Sequence, residues 1–276
     1  MFDDILHIFF PRTYTLANGK TVREKFSPVP YLLIVFMVFV AACSAFTGTN
    51  LKVLAERGHN FFDILLKMIP PNWGYWDTMK KAMLDTISMS LLGSVFGCAI
   101  ALPVSFYLSA NFKLNKPYLV THRFALSLLR TLPIIVLASF LRMVLGIGAL
   151  AGTLAISVFS YTICVKMMYE YIETIDMGAY EALESTGASR IKCIWNAIWP
   201  QVKGFYFSTF LYCFENNVKS AAILGYVGAG GIGLNISGQL TLRKYDNLGL
   251  VLISMTLTIM ILEAAARYAR RKLVTG

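Results

Sequence analysis

A polar stripe within an apolar segment is the first place where this chain could do chemistry. The stripe comprises Ser208, Tyr212, Glu215 and Lys219, with Asn216 beside it. Its steps of four, three and four residues place these side chains on one face of a helix. That face carries a carboxylate, an ammonium group and two hydroxyl groups, so it is not expected to face lipid.

Two interpretations of the stripe stay open. An ion pair between Glu215 and Lys219, four residues apart, would satisfy itself and lock the packing of the helix. Alternatively, the stripe faces a water-filled pathway in which Lys219 attracts an anion and Glu215 tunes that charge. Counted from Gly204 at roughly 1.5 Å per residue, Glu215 is expected roughly 16 Å into a hydrocarbon core of roughly 30 Å.

Closely spaced glycines follow the stripe. Gly228, Gly230 and Gly233 match the GxGxxG pattern of dinucleotide-binding sites. That pattern needs a preceding strand and a βαβ unit, whereas here the preceding segment is an apolar span, so a nucleotide site is rejected. We expect Gly228, Gly230 and Gly231 instead to let the backbone approach a neighbouring helix or to line a translocation path.

A polar stretch between two apolar segments, residues 176–200, is the second candidate site. Asp176 can cap a helix whose body covers residues 177–186. Gly187 suits the left-handed position that ends such a helix. A capped helix here is more structure than a plain connector between spans needs, and this favours contact with a partner.

The sequence after Gly187 predicts a second helix, with Ser189 as its cap. Its apolar face, which we expect to pack on the membrane domain, comprises Ile191, Ile194, Trp195 and Ile198. Pro200 lacks a backbone donor and is expected to end or kink this helix. The loop is thus predicted to be two short helices lying along the membrane surface.

This loop resembles the EAA loop in permease subunits of bacterial ABC importers. Glu181, Ala182, Gly187 and Pro200 fit that pattern, while Leu183 stands where a third small residue is usual. The resemblance implies that the loop inserts into a groove of a separate ATP-hydrolysing subunit and transmits its closure. The coupling residues that it implies are Glu181, Ala182, Leu183, Gly187, Ala188, Arg190 and Pro200.

A second stretch, which reads FENNVKSAAILGYVGAGGIG from Phe214 onwards, resembles the late part of permeases of the phosphonate importer family. Glu215, Asn217 and Lys219 stand where that family has a glutamate, an asparagine and a base. Lysine replaces the more common arginine. The stripe and the glycines therefore belong to one region of resemblance.

The resemblance implies a type I ABC importer permease fold, a homodimer or pseudo-symmetric dimer, and transport by alternating access. It further implies two ATPase subunits, which bind ATP and Mg in place of this chain, and an extracytoplasmic substrate-binding protein. The implied cargo is a phosphonate or a related phosphorus oxyanion, and the chain itself is not an enzyme. Two alternatives remain: an importer permease for a different small solute, and an ion-gradient-driven transporter that uses Glu215.

The composition of the chain indicates that membrane-spanning helices hold these two sites in place. Hydrophobic residues make up 57% of the chain, and the mean hydropathy is +0.61. The fold class is therefore predicted to be an all-α polytopic membrane protein. Six spans are expected, near residues 31–48, 84–110, 125–143, 146–168, 204–225 and 247–268. They make up a transmembrane permease domain, residues 31–276.

Charge distribution predicts the orientation of these spans. With the N-terminus inside, the inner segments carry fourteen of the 25 lysines and arginines, and the outer loops carry seven. Basic residues favour the cytoplasmic side, so both termini and the 176–200 loop are expected there, in a bacterial cytoplasmic membrane. The formal charge of +10 is spread over loops and termini, which favours contact with anionic lipid over nucleic acid.

Two further segments are predicted outside the spans. Residues 1–30 form a cytoplasmic segment in which Asn18-Gly19 predicts a β-hairpin, since both residues tolerate positive φ. Residues 60–77 are rich in aromatic side chains and broken by Pro70-Pro71, which indicates an interfacial helix and turn. The five cysteines and three histidines show no spacing for a metal site or a disulfide framework.

Overall fold

The computed structural model of the chain describes residues 13–16, 19–23, 28–48, 51–112 and 116–275. The chain divides into two compact units, Met1–Leu65 and Leu66–Gly276. Both candidate sites lie in the second unit.

The first unit begins with a β-hairpin. Strands β1 (Thr13–Thr15) and β2 (Thr21–Arg23) pair antiparallel. Gly19, in the turn, has a φ of 73°, the left-handed conformation that the Asn18-Gly19 pair predicted, although Asn18 itself lies outside the described residues. The predicted hairpin is confirmed.

Helix α1 (Val29–Thr47) corresponds to the first predicted span. Its side chains are apolar and almost all exposed, as is typical of a helix surrounded by lipid. The helix ends where Gly48 adopts a φ of 67° and donates its N–H to the Ala45 carbonyl. Two shorter helices follow, α2 (Leu51–Arg57) and α3 (His59–Lys67).

The regular elements that the structure describes in the second unit are all helices. In chain order its helices are α4 (Trp76–Leu108), α5 (Lys116–Thr131), α6 (Ile134–Leu145), α7 (Ala149–Ile172), α8 (Gly178–Ser185), α9 (Arg190–Cys193), α10 (Trp199–Leu224), α11 (Gly231–Thr241) and α12 (Tyr245–Thr275). Short 3₁₀ turns cover Trp73–Tyr75, Ala110–Phe112 and Gly225–Val227, and a π-helical turn, Ile194–Ile198, joins α9 to α10.

Within the part of the chain that the structure describes, four single helices are long and apolar enough to cross a membrane: α1, α4, α7 and α12. Two further pairs, α5 with α6 and α10 with α11, pass the same criterion together but are bent by 86° and 47°. Counting each bent pair as one span gives up to six, in agreement with the sequence.

The span predicted near residues 125–143 is not one continuous helix. Helix α5 ends at Thr131 and α6 starts at Ile134, with a bend of 86° between them. Pro133 explains the break, because it lacks a backbone N–H and keeps Leu132 out of helical conformation. A second difference follows α10, where the expected glycine-rich loop continues into helix α11.

Helices α4, α7 and α10 form the core around the candidate sites. Gly97 brings α4 against α7, because a Cβ there would overlap the Ser157 carbonyl. Asn217 of α10 is fully buried and donates from Nδ2 to Ser94 Oγ at 2.7 Å and to Ser160 Oγ at 2.6 Å. One buried amide thus fixes the register of three helices.

Candidate functional site

The 176–200 loop begins with a helix close to the predicted one, although its N-cap position is Met177, one residue after the predicted Asp176. The Gly178 N–H donates to Asp176 Oδ1 at 2.9 Å, and α8 then runs to Ser185. Gly187 has a φ of 82°, and the Gly187 N–H donates to the Glu184 carbonyl. The local side-chain and glycine chemistry of this helix therefore sets both of its ends.

Helix α8 has a buried face and an exposed face. Tyr180 is 5% exposed, and its ring meets Phe112 edge-to-face with the ring centroids 5.4 Å apart. Burial raises the pKa of the Tyr180 hydroxyl, and the nearby Glu184 adds to that shift. Glu181 and Ala182 are exposed. The helix is thus held on the bundle by Tyr180 and presents Glu181 outward.

A pocket of about 190 Å³ lies beside this helix. Its lining residues are Asn111, Phe112, Met177, Tyr180, Glu181, Glu184 and Arg190. The structure therefore brings Glu181 and Arg190, two of the predicted coupling residues, to one pocket. Leu183 and Ala188 lie half-buried on the bundle side of the loop, where both pack against the core.

The predicted apolar face of the second helix is only half right. Ile198 is fully buried and Ile194 packs against the core, but Ile191 is 80% exposed and Trp195 is 63% exposed. The buried side also carries the small side chains Cys193 and Ala197, which let the helix approach the core closely. Ile191 and Trp195 consequently face outward. Ser189 has the extended backbone of a cap residue, but its side chain makes no capping hydrogen bond.

Pro200 does not end the second helix. Helical structure is continuous from Arg190 through the π-helical turn and into α10. Pro200 therefore lies inside a continuous helix, in which it has no N–H to donate to the preceding turn. The Trp199 N–H reaches the Ile194 carbonyl, five residues back, and this wider turn accommodates the proline. A single helical rod therefore leads from the loop into the span that carries the polar stripe.

Glu215 of the stripe joins two basic side chains. Lys219 Nζ donates to Glu215 Oε1 at 2.8 Å, which confirms the ion pair predicted from their spacing. Arg270 Nη2 donates to the other carboxylate oxygen, Oε2, at 3.0 Å. The side chains of Glu215, Arg270 and Lys219 are 12%, 25% and 41% exposed. We call Glu215, Lys219 and Arg270 the charged triad.

Arg270 was absent from the predicted site. It belongs to a run of bases near the C-terminus that resembles a solvated tail, and its sequence position carries no sign of Glu215. Its partner is found because α12 runs on as a regular helix to Thr275 and packs along α10. The pairing is a tertiary contact between residues 55 positions apart.

The triad is level with the last turns of α12 and with the middle of α7. Arg270 is two residues from the end of the candidate span Tyr245–Lys272. Asn217, two residues after Glu215, donates to Ser160, which lies near the middle of α7 (Ala149–Ile172). On its own helix, Glu215 lies in the second half of α10, well away from the end that adjoins the 176–200 loop.

The remaining members of the stripe stay on the same helix without joining the triad. Ser208 and Asn216 are half-buried, and Tyr212 is 42% exposed. Their contacts do not reach the triad's charged atoms in the described part of the chain. Asn217, in contrast, points into the core.

The predicted glycines form a separate group at the far end of α10. Gly228, Gly230 and Gly231 all have φ between 69° and 86°, a range that favours glycine. A Cβ on Gly231 would crowd Thr86, whose hydroxyl accepts the Ile232 N–H at 2.7 Å. These contacts agree with the expected close approach of backbone to a neighbouring helix.

Arg142 and a second pocket border the same glycines. Arg142 Nη1 donates to the Val227 carbonyl at 2.9 Å, just before the glycines. The pocket has a volume of about 550 Å³, and its lining includes Asp77, Lys81, Asp85, Gly230 and Gly231. Thirteen residues of helix and turn, about 20 Å at helical rise, separate Glu215 from Gly228. The predicted pathway residues therefore form two separate groups, one along α10 and one just after its C-terminal end.

Residues 93–274 match the family of the binding-protein-dependent transport system inner membrane component. The chain belongs to this family. The matched range includes the 176–200 loop, the charged triad and the glycines. The chain is therefore a membrane permease of an ABC importer, as its sequence indicated.

Two relatives illustrate what this permease is similar to. It is 26% identical to the phosphite transport system permease protein PtxC of Stutzerimonas stutzeri, over 86% of each chain. It is 27% identical to the phosphate-import permease protein PhnE of Mycolicibacterium smegmatis, over 86% of this chain and 45% of that protein.

A solved structure shows the fold of the permease. The inward-facing MetNI methionine ABC transporter aligns with a TM-score of 0.65 at 21% identity, over 73% of this chain and 99% of the matched one. The predicted fold, an all-α ABC importer permease, is confirmed.

Proposed function

We propose that this permease carries phosphite, a phosphonate or a related phosphorus oxyanion inward across the bacterial cytoplasmic membrane. One relative is named for phosphite transport and the other for phosphate import, so the two share an anion class but not a single solute. The triad has a formal charge of +1, because Glu215 neutralises one of two cations. A cationic group of this kind beside the pathway suits an oxyanion.

The proposal assigns ATP hydrolysis to two separate ATPase subunits, which bind ATP and Mg, so this chain contributes no catalytic residue. One observation carries this part: the exposed helix α8 leads through the Gly187 turn into the continuous rod of α9 and α10. A partner that binds Glu181 on the exposed face can displace α8. The rod then conveys that displacement to the span that carries Glu215.

The proposed assembly contains a second copy of the permease, a substrate-binding protein on the outer face and surrounding lipid. Both termini and the 176–200 loop lie on the cytoplasmic side, as the distribution of lysines and arginines favours.

The triad bears on the rival in which Glu215 takes up a proton and an ion gradient drives transport. Each oxygen of the Glu215 carboxylate accepts a hydrogen bond from a cation. Protonation would neutralise the carboxylate and so weaken both of these charge-assisted bonds. This arrangement favours a fixed charge that organises the pathway over a carrier of protons.

Reconstitution tests the proposal. The tagged permease is purified in mild detergent with the ATPase that accompanies it, inserted into liposomes and supplied with its binding protein and labelled phosphite. We expect uptake that requires ATP and is competed by excess methylphosphonate or phosphate, but not by methionine. Uptake driven by a proton gradient without ATP would contradict the mechanism. ATP-driven uptake that only methionine competes would contradict the anion class alone.

A further inference from the structure

A network of helix caps joins α4, α5 and α7 immediately before the 176–200 loop. Arg123 of α5 donates to the Leu108 carbonyl from Nε at 3.1 Å and from Nη2 at 2.6 Å. Leu108 is the last residue of α4, so its carbonyl has no partner within that helix. A guanidinium group at this place both satisfies the carbonyl and complements the negative end of the helix dipole.

Glu173 supplies the reciprocal half of the network. It follows the last residue of α7 and forms an ion pair with Arg123 through Nη2 and Oε1. The same Oε1 accepts the Ala110 N–H at 2.8 Å, where the 3₁₀ turn after α4 begins. Asn111 Nδ2 donates to the Ile172 carbonyl at 2.8 Å and so satisfies the end of α7.

The network is packed as well as hydrogen-bonded. The Arg123 guanidinium lies over the Tyr169 ring, 4.2 Å from its centroid. Arg123 and Glu173 are only 25% and 27% exposed, so solvent screens the pair less than it screens a surface pair. The Lys166–Glu170 pair of α7 differs in distance, exposure and position. Its charged atoms are 3.5 Å apart, its side chains are 39% and 53% exposed, and it caps no helix end.

Helix α8 attaches to this network at two points. Along the chain, Glu173 is three residues from Asp176, whose carboxylate accepts the Gly178 N–H at the start of α8. In space, Tyr180 of α8 packs on Phe112, which belongs to the turn that Glu173 holds. A displacement of α8 therefore acts on the joined ends of α4 and α7. It also acts on the continuous helix that leads into α10.

We infer that Arg123 and Glu173 are positioning residues that couple movement of α8 to the second and fourth spans, α4 and α7. The inference rests on the proposed coupling function of the 176–200 loop. Neither residue contacts the solute or ATP. Their role is to make the ends of α4 and α7 move as one body with α5, so that displacement of α8 reorients the spans and does not merely bend the loop.

The two partners are not interchangeable in this arrangement. Arginine at position 123 offers several donors in one plane, whereas lysine offers a point charge that can keep the ion pair but cannot reproduce the fork onto Leu108. Glutamate at position 173 must accept the Ala110 N–H. Exchanging the two residues restores opposite charges but leaves the Leu108 carbonyl and the Ala110 N–H without their partners.

The test measures solute transported per ATP hydrolysed in reconstituted complexes, using phosphite or methylphosphonate, whichever the wild type takes up. We expect Arg123→Met and Glu173→Gln to lower this ratio at least fivefold while the ATPase still co-purifies. Arg123→Lys should give a smaller loss, and the control Glu170→Gln should stay within twofold of wild type. The exchanged double variant Arg123→Glu/Glu173→Arg should remain uncoupled.

Three results would overturn the inference. They are an unchanged ratio in Arg123→Met, recovery of the ratio in the exchanged variant, and loss of assembly in Arg123→Lys as well as in Arg123→Met. Recovery in the exchanged variant would show that only opposite charges matter at these positions. Loss of assembly in both Arg123 variants would show that the network serves folding alone. If the wild-type complex itself lacks an ATPase or ATP-driven uptake, the proposed function fails instead, and the two failures are therefore distinguishable.

Discussion

Arg270 of α12 donates to Glu215 of α10 at 3.0 Å, and this contact turns a predicted pair into a triad. The second and third members, Lys219 and Arg270, approach different oxygens of one carboxylate. The triad therefore ties the last helix to the helix that continues from the 176–200 loop. The three side chains together carry a formal charge of +1.

The first prediction concerns the stability of the triad. Glu215→Gln leaves two partly buried cations without a carboxylate, and we expect a loss of about 1–3 kcal/mol in unfolding free energy. Glu170→Gln is the matched control, because its pair with Lys166 is longer, at 3.5 Å, and more exposed, at 53% and 39%. That control should change stability by less than about 0.5 kcal/mol. Thermal melting of the detergent-solubilised permease measures both, and equal losses would show that Glu215 has no special position.

The second prediction concerns anion transport. Lys219 is the most exposed member of the triad, at 41%. We expect Lys219→Met to lower ATP-driven phosphite uptake at least tenfold, because the positive charge nearest solvent is lost. That tenfold loss corresponds to ~1.4 kcal/mol. Uptake by Lys219→Arg should stay within about threefold of wild type, since the positive charge remains. Full uptake in Lys219→Met would show that the triad has no role in the pathway and serves only helix packing.

The third prediction concerns close packing after α10. A Cβ on Gly233 would overlap the Ala222 carbonyl and the backbone of Gly225, whereas a Cβ on Gly238 of the same helix would meet open space. Gly233→Ala should therefore lower the melting temperature and the yield of folded permease. Gly238→Ala should be neutral or stabilising by up to about 1 kcal/mol, as in an ordinary helix interior. Similar melting curves for both variants would contradict this packing.

Local chemistry made the 176–200 loop predictable. Asp176 and Gly187 define the ends of α8 through hydrogen bonds and dihedral angles that involve only a few neighbouring residues. The Glu215–Lys219 pair was predictable for the same reason, because i to i+4 spacing on a helix brings the charges together.

The features that sequence reasoning missed depend on contacts between distant segments. Arg270 and Arg123 looked like ordinary basic residues near a membrane surface, yet their partners are fixed by how the helices pack. Trp195 faces outward because the core packs against the other side of its helix. Helical periodicity alone does not determine which side that is. The bend at Pro133 had a local signal, but its size did not.

The central claim is that the exposed face of α8 couples a separate ATPase to transport through Glu181. The most direct test measures phosphite uptake and ATP hydrolysis together in liposomes that contain wild type, Glu181→Lys or the control Glu170→Lys. Because Glu181 is exposed on α8, Glu181→Lys should leave insertion and folding intact. The account predicts that this variant loses uptake at least tenfold relative to ATP hydrolysed, while the control keeps the wild-type ratio. A wild-type ratio in Glu181→Lys, with full uptake, would contradict it.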